Sequence, residues 1–146
     1  MENSIDPDIF DPVKVSYITN EPSELRDEIL DRIHKLPEKV ELFFYNTKTP
    51  EAIQSISNRF TLTPTQSMFL TCIIRDVAVG MTYFGDMVKE IQEKLDVPED
   101  KARQIAQAVT ELYDFALEDI KKIQVAAFPD RIKQTSQPNV IDLRTK

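Results

Sequence analysis

Few side chains in this chain have the type and spacing for catalysis. There is one cysteine, Cys72, and one histidine, His34. A thiol nucleophile needs a base beside it. The two residues fall on different expected helices, so a Cys–His pair has no other support in the sequence. Cys72 lies in the apolar run MFLTCII and reads as a small buried core residue. Being alone, it forms no intramolecular disulfide. A zinc site needs several Cys or His ligands at set spacings, and one of each does not supply them. Carboxylate pairs occur at Glu99–Asp100 and Glu118–Asp119, each close to a lysine, and they read as solvated helix surface. The stretch DVPEDK lacks the spaced acids and central glycine of a calcium loop. No catalytic, cofactor-binding or metal-binding residue is assigned and no cofactor is expected. The expectation is a protein that is not an enzyme.

One charged pair stands apart. Arg75 and Asp76 interrupt an otherwise apolar stretch. They mark either the one solvent face of a helix or a buried pair with a specific role. The solvent face is the favoured reading, because charges are seldom fully buried.

Composition limits the scaffold that must hold these residues. The chain has 146 residues, enough for one domain with a real core, and is 41% hydrophobic and 29% charged. Only two glycines are present. That is too few for the tight turns of a β-sandwich or barrel, and it excludes a P-loop and a dinucleotide-binding glycine fingerprint. The formal net charge of −7 opposes non-specific adhesion to nucleic acid or anionic membrane. No run approaches the ~18 apolar residues of a membrane span. No basic segment followed by an apolar stretch opens the chain, so no signal peptide is read and a cytoplasmic location is expected.

The nine prolines divide the chain. Pro7, Pro12, Pro129 and Pro138 lie near the ends. Pro22, Pro37, Pro50, Pro64 and Pro98 each precede helical periodicity, as proline does in a first helical turn. Thr49 and Thr63 are expected N-caps, and Thr63-Pro-Thr-Gln66 has capping-box spacing. Asp96 is expected to cap the last helix. The fold class is therefore all-α, a compact bundle of five or six helices. They run over about 22–35, from Pro37 through VELFFYN, then 50–60, 64–79, 83–95 and 98–127. The helix at 64–79 is apolar on most sides and should be central. The last would be long, with a continuous seam through Ala102, Ile105, Val109, Leu112, Ala116, Ile120 and Ile123. Residues 1–20 are expected as a flexible acidic arm, 21–128 as the helical domain, and 129–146 as a flexible tail.

Both glycines fall in VAVGMTYFGDMV, residues 77–88. Gly80 falls where the apolar helix should end, and a glycine there can take the left-handed conformation that closes helices. Thr82 would cap the next helix. The stretch reads as a helix–helix corner with a hydrophobic plug. The competing reading is an apolar surface groove lined by Met81, Tyr83 and Phe84, residue types that adaptable binding surfaces favour. In the tail, NVIDLR places Val140, Ile141, Leu143 and Arg144 in a polar setting, a pattern suited to docking on a partner.

The segments LPEKVELFFYNTKTPEAIQSISNRFTLTPTQ and VAVGMTYFGDMVKEIQEKLDVPEDKARQIAQAV, with the closing VIDLR, resemble a group of small all-helical hypothetical proteins of candidate-phyla-radiation bacteria (Patescibacteria). The likeness covers about residues 24–144. It implies a bacterial helical protein and no established activity. The leading expectation is a non-enzymatic protein–protein interaction or assembly module, with a protein partner or self-association. The alternative is a helix-turn-helix DNA-binding regulator using residues 50–79. Its second helix would offer Thr65, Gln66, Ser67 and Thr71 but no base before Arg75, so nucleic acid is the weaker partner.

Overall fold

The computed structural model describes residues 6–135, and every regular element among them is helical. The α-helices are α1 (Val15–Ile18), α2 (Ser23–His34), α3 (Glu38–Tyr45), α4 (Lys48–Arg59), α5 (Pro64–Ala78), α6 (Met87–Leu95), α7 (Glu99–Leu112), α8 (Leu117–Ala127) and α9 (Pro129–Thr135). Short 3-10 turns occupy Pro7–Phe10, Phe84–Asp86 and Asp114–Ala116. Among the described residues no helix is long and apolar enough to cross a membrane.

The proline signals mark helix starts as expected. Pro22, Pro37 and Pro98 stand immediately before α2, α3 and α7, and Pro64 opens α5. The capping box forms: the Gln66 N–H donates to Thr63 Oγ1 at 3.1 Å, and the Thr63 N–H donates to Gln66 Oε1 at 2.9 Å. Two other caps differ from expectation. Thr49 lies inside α4, buried, and its hydroxyl donates to the Phe43 carbonyl at 2.7 Å, fastening α3 to α4. Asp96 does not open α7. It closes α6 in the left-handed conformation, with φ of 56°.

Helix α5 is central. Leu70, Ile73, Ile74, Val77 and Ala78 are buried, and α1, α4, α6, α8 and the Pro7–Phe10 turn pack around it. Its end follows the expected logic. Gly80 takes φ of +80°, the Met81 N–H returns to the Asp76 carbonyl at 2.8 Å, and the Gly80 N–H to Val77 at 3.2 Å. This is the Schellman pattern that satisfies a helix's last carbonyls. A Cβ at Gly80 would lie 2.9 Å from Ile123 Cγ2, so α8 also needs the glycine.

The architecture departs from expectation in four places. The long last helix is two helices, α7 and α8, separated at Tyr113–Ala116. Tyr113 is fully buried, and its hydroxyl donates to the Ile74 carbonyl of α5 at 2.7 Å. That anchor closes α7, and α8 restarts after Ala116 at φ of −132°. The bundle accordingly has more and shorter helices than five or six. The acidic segment at 1–20 is not an arm where it is described: Ile9, Phe10 and Val15 are buried apolar residues. The tail is helical at its start, because α9 reaches Thr135.

Candidate functional site

The charged pair of α5 is buried, against the favoured solvent-face reading. Arg75 is 2% exposed. It forks onto both Glu21 carboxylate oxygens at 3.1 and 3.2 Å, donates to Asp76 Oδ1 at 2.8 Å, and donates to Ser16 Oγ at 2.8 Å. Burial alone would lower the guanidinium's affinity for its proton, but Asp76 and Glu21 outweigh it and hold Arg75 charged. Burial pushes the Asp76 carboxyl above the ordinary carboxylate range, with Arg75 opposing. The cluster joins the segment 16–21 to α5. Its donors and acceptors point at one another, which makes it a clamp.

The reactive pair is not assembled. Cys72 is half-buried, not wholly in the core, and burial raises its thiol to about 11. At neutral pH it is therefore a thiol, and the charged groups acting on it are Arg75, Glu21, Asp76 and Lys94. His34 ends α2 on the surface, 3.6 Å from Glu41 and stacked on Tyr45. Among the described residues no group of three or more His, Cys, Asp or Glu could hold a metal ion. Glu99 pairs with Arg103 one turn on, and Glu118 lies 3.7 Å from Lys121, as solvated helix faces do.

The corner at residues 80–87 is a plug. Tyr83 is 3% exposed, with Phe84, Phe128 and the Arg131 guanidinium around its ring. Met81 and Phe84 are half-buried against the core. Thr82 caps nothing; Phe84–Asp86 form a 3-10 turn before α6. The corner is closed by Gln124 of α8, which sequence reading missed. Its amide nitrogen donates to the Val77 and Thr82 carbonyls at 2.9 and 3.0 Å, and its oxygen accepts the Phe84 N–H at 2.9 Å. The three candidates therefore do not make an open groove. Val140, Ile141, Leu143 and Arg144 lie outside the described residues.

Exposed apolar surface collects elsewhere. A groove of about 340 Å³ runs between α3, α4 and the α7–α8 junction. Phe43 and Ala52 line its wall, with Leu42 and Phe115 at the mouth, 57% and 50% exposed. The Phe43 and Phe115 rings stack with centroids 5.6 Å apart. The break between α7 and α8 turns Phe115 outward, so the feature that ends the long helix also builds the groove. Lys39 and Lys48 stand on its rim, both exposed, and among the described residues no acid lines it. Sequence gave one sign of this, the unusually apolar LFFY of α3. It could not pair α3 with residues 112–115.

Comparison with protein-family models, with curated proteins and with solved structures finds no match to this chain.

Proposed function

We propose that the protein is a non-enzymatic protein–protein interaction module whose docking face is the α3–α4–Phe115 groove. The observation that carries this reading is the pair of large apolar side chains, Leu42 and Phe115, half or more exposed at the mouth of an apolar cleft. Exposed apolar residues that cluster beside a cleft mark interaction sites where scattered ones do not, and aromatic anchors beside a pocket dominate binding energy where partners dock. The reading extends to a cytoplasmic bacterial protein similar to the small helical hypothetical proteins named above.

The helix-turn-helix alternative has little to draw on. Helix α5 would be the recognition helix, yet most of its length is buried and its single base is clamped by Glu21 and Asp76. A recognition helix needs free donors facing a groove.

Display of random 16-residue peptides, selected on the full chain, tests the docking face. Selected peptides should bind a Leu42→Ser/Phe115→Ser double variant at least about tenfold more weakly, as expected for loss of two anchors. Both positions are exposed, so the variant's unfolding midpoint should barely move. Peptides that bind both proteins equally would place docking elsewhere.

A further inference from the structure

Resting on that reading of the groove, we infer that its occupant is an acidic amphipathic segment of another protein. The chain carries 25 acids against 18 bases. Surface drawn at random from it should present acids at least as often as bases. Among the described residues this cleft presents Lys39 and Lys48 and no acid, where exposed Leu42 and Phe115 flank an apolar floor. Apolar walls with a cationic rim complement a segment whose large apolar residues face inward while its carboxylates reach the lysines.

The net charge of −7 does not defeat this arrangement. At physiological ionic strength the screening length is about 8 Å, so a bound carboxylate responds to the rim lysines and little to distant acids. The same argument separates two occupants. Residues 129–146 of this chain carry Arg131, Lys133, Arg144 and Lys146 against Asp130 and Asp142. VIDLR has suitable apolar residues, but Arg144 and Lys146 would meet a rim of their own sign. An external acidic segment fits the rim better.

The peptide selection reads this separately from the docking reading. Groove-dependent peptides, those weakened by Leu42→Ser/Phe115→Ser, should combine two or more large apolar residues with net negative charge. Their affinity should fall about tenfold on Lys39→Glu/Lys48→Glu and fall with added salt. The charge-reversed variant keeps the apolar floor and should gain affinity for the same peptides rewritten with lysine for their acids. Groove-dependent peptides without net negative charge, indifferent to charge reversal, would overturn the inference and leave the docking face standing. Selection of no groove-dependent peptide would overturn both. Two further results would reassign the occupant. A full-chain mass that rises with concentration and falls to monomer in the Leu42→Ser/Phe115→Ser variant would make it a second copy. Competition by a synthetic peptide of residues 136–146, stronger than by the acidic peptides, would make it the chain's own tail.

Discussion

Gln124 shows how much one side chain can hold at a corner. It is 1% exposed and satisfies three backbone groups around Gly80, one before it at Val77 and two after it at Thr82 and Phe84. A buried polar group without a partner costs about 1–3 kcal/mol. Replacing Gln124 with Leu keeps the bulk, strands the Phe84 N–H and the Thr82 carbonyl, and leaves the Val77 carbonyl with only the Gly80 N–H. The expected loss is about 3 kcal/mol in denaturant unfolding at neutral pH, a large fraction of a typical domain's stability. A loss below about 0.5 kcal/mol would mean that water or relaxation replaces the three bonds. At this scale the sequence was only partly readable. Gly80 was legible because a left-handed helix end has a strong residue preference. Gln124 was not, because a glutamine facing the core and one facing water look alike in sequence. Arg75 was misread for the same reason. Its partners Glu21 and Ser16 lie 54 and 59 residues away, and periodicity carries no information at that range.

Element boundaries followed local signals well and tertiary anchors poorly. Prolines and the Thr63 capping box marked helix starts, because these effects act within one turn. The division of α7 from α8 had no such mark. No proline or glycine lies between Ile105 and Ile120, and the apolar seam continues across the break. The buried Tyr113 and its bond to Ile74 decide it. Helix α9 shows how a tertiary ion pair can hold an element. Arg131 forks onto Asp86 at 2.8 and 3.1 Å and covers the Tyr83 ring at 4.4 Å. The hydrogen bond from Arg131 holds the Asp86 carboxyl below the ordinary carboxylate range, against a smaller burial effect. A carboxyl depressed in the folded state contributes stability that is full above its unfolded value. That stability is lost as pH falls through the folded value. The attachment of α9 should therefore be complete at neutral pH and weaken only below about pH 4. NMR shifts of the Tyr83 ring, followed from pH 7 to about pH 3, should report the release. Asp86→Asn should place those shifts near the released values at every pH. A Tyr83 titration unchanged by Asp86→Asn would show that contacts other than the Arg131–Asp86 pair hold α9, the Arg131 guanidinium over the Tyr83 ring and the Phe128 packing among them.

For the whole molecule, the decisive departure from expectation is the start of the chain. Four acids, one lysine and two prolines within residues 1–20 suggested an arm, since such composition seldom buries enough apolar surface to order itself. The segment is ordered from outside. Ile9 and Phe10 are each 5% exposed and Val15 is fully buried, and all are set against elements that follow in the chain. Glu21 and Ser16 then join it to Arg75. A burial of this kind, three apolar side chains at about 2 kcal/mol each, is comparable to the net stability of a domain. Removing the segment would also leave Arg75 facing Asp76 with its other partners gone, and an incompletely paired buried cation adds to the cost. A chain beginning at Pro22 should therefore fail to unfold cooperatively, or lose more than about 5 kcal/mol. Because such a fragment also exposes new surface, full-length Ile9→Ser/Phe10→Ser serves as the companion. It keeps the Arg75 clamp and should lose about 4 kcal/mol in urea unfolding. If both proteins unfold like the parent, the segment contributes nothing to the core, and the domain starts at α2 as composition suggested. If the fragment collapses while the double variant is only weakened, the clamp and the apolar contacts each carry part of the attachment. The groove bears on the same outcome. It lies on α3, α4 and the α7–α8 junction, and α4 packs directly on the Pro7–Phe10 turn. Loss of that turn should therefore loosen the wall that carries Lys48, and peptide binding should weaken along with stability.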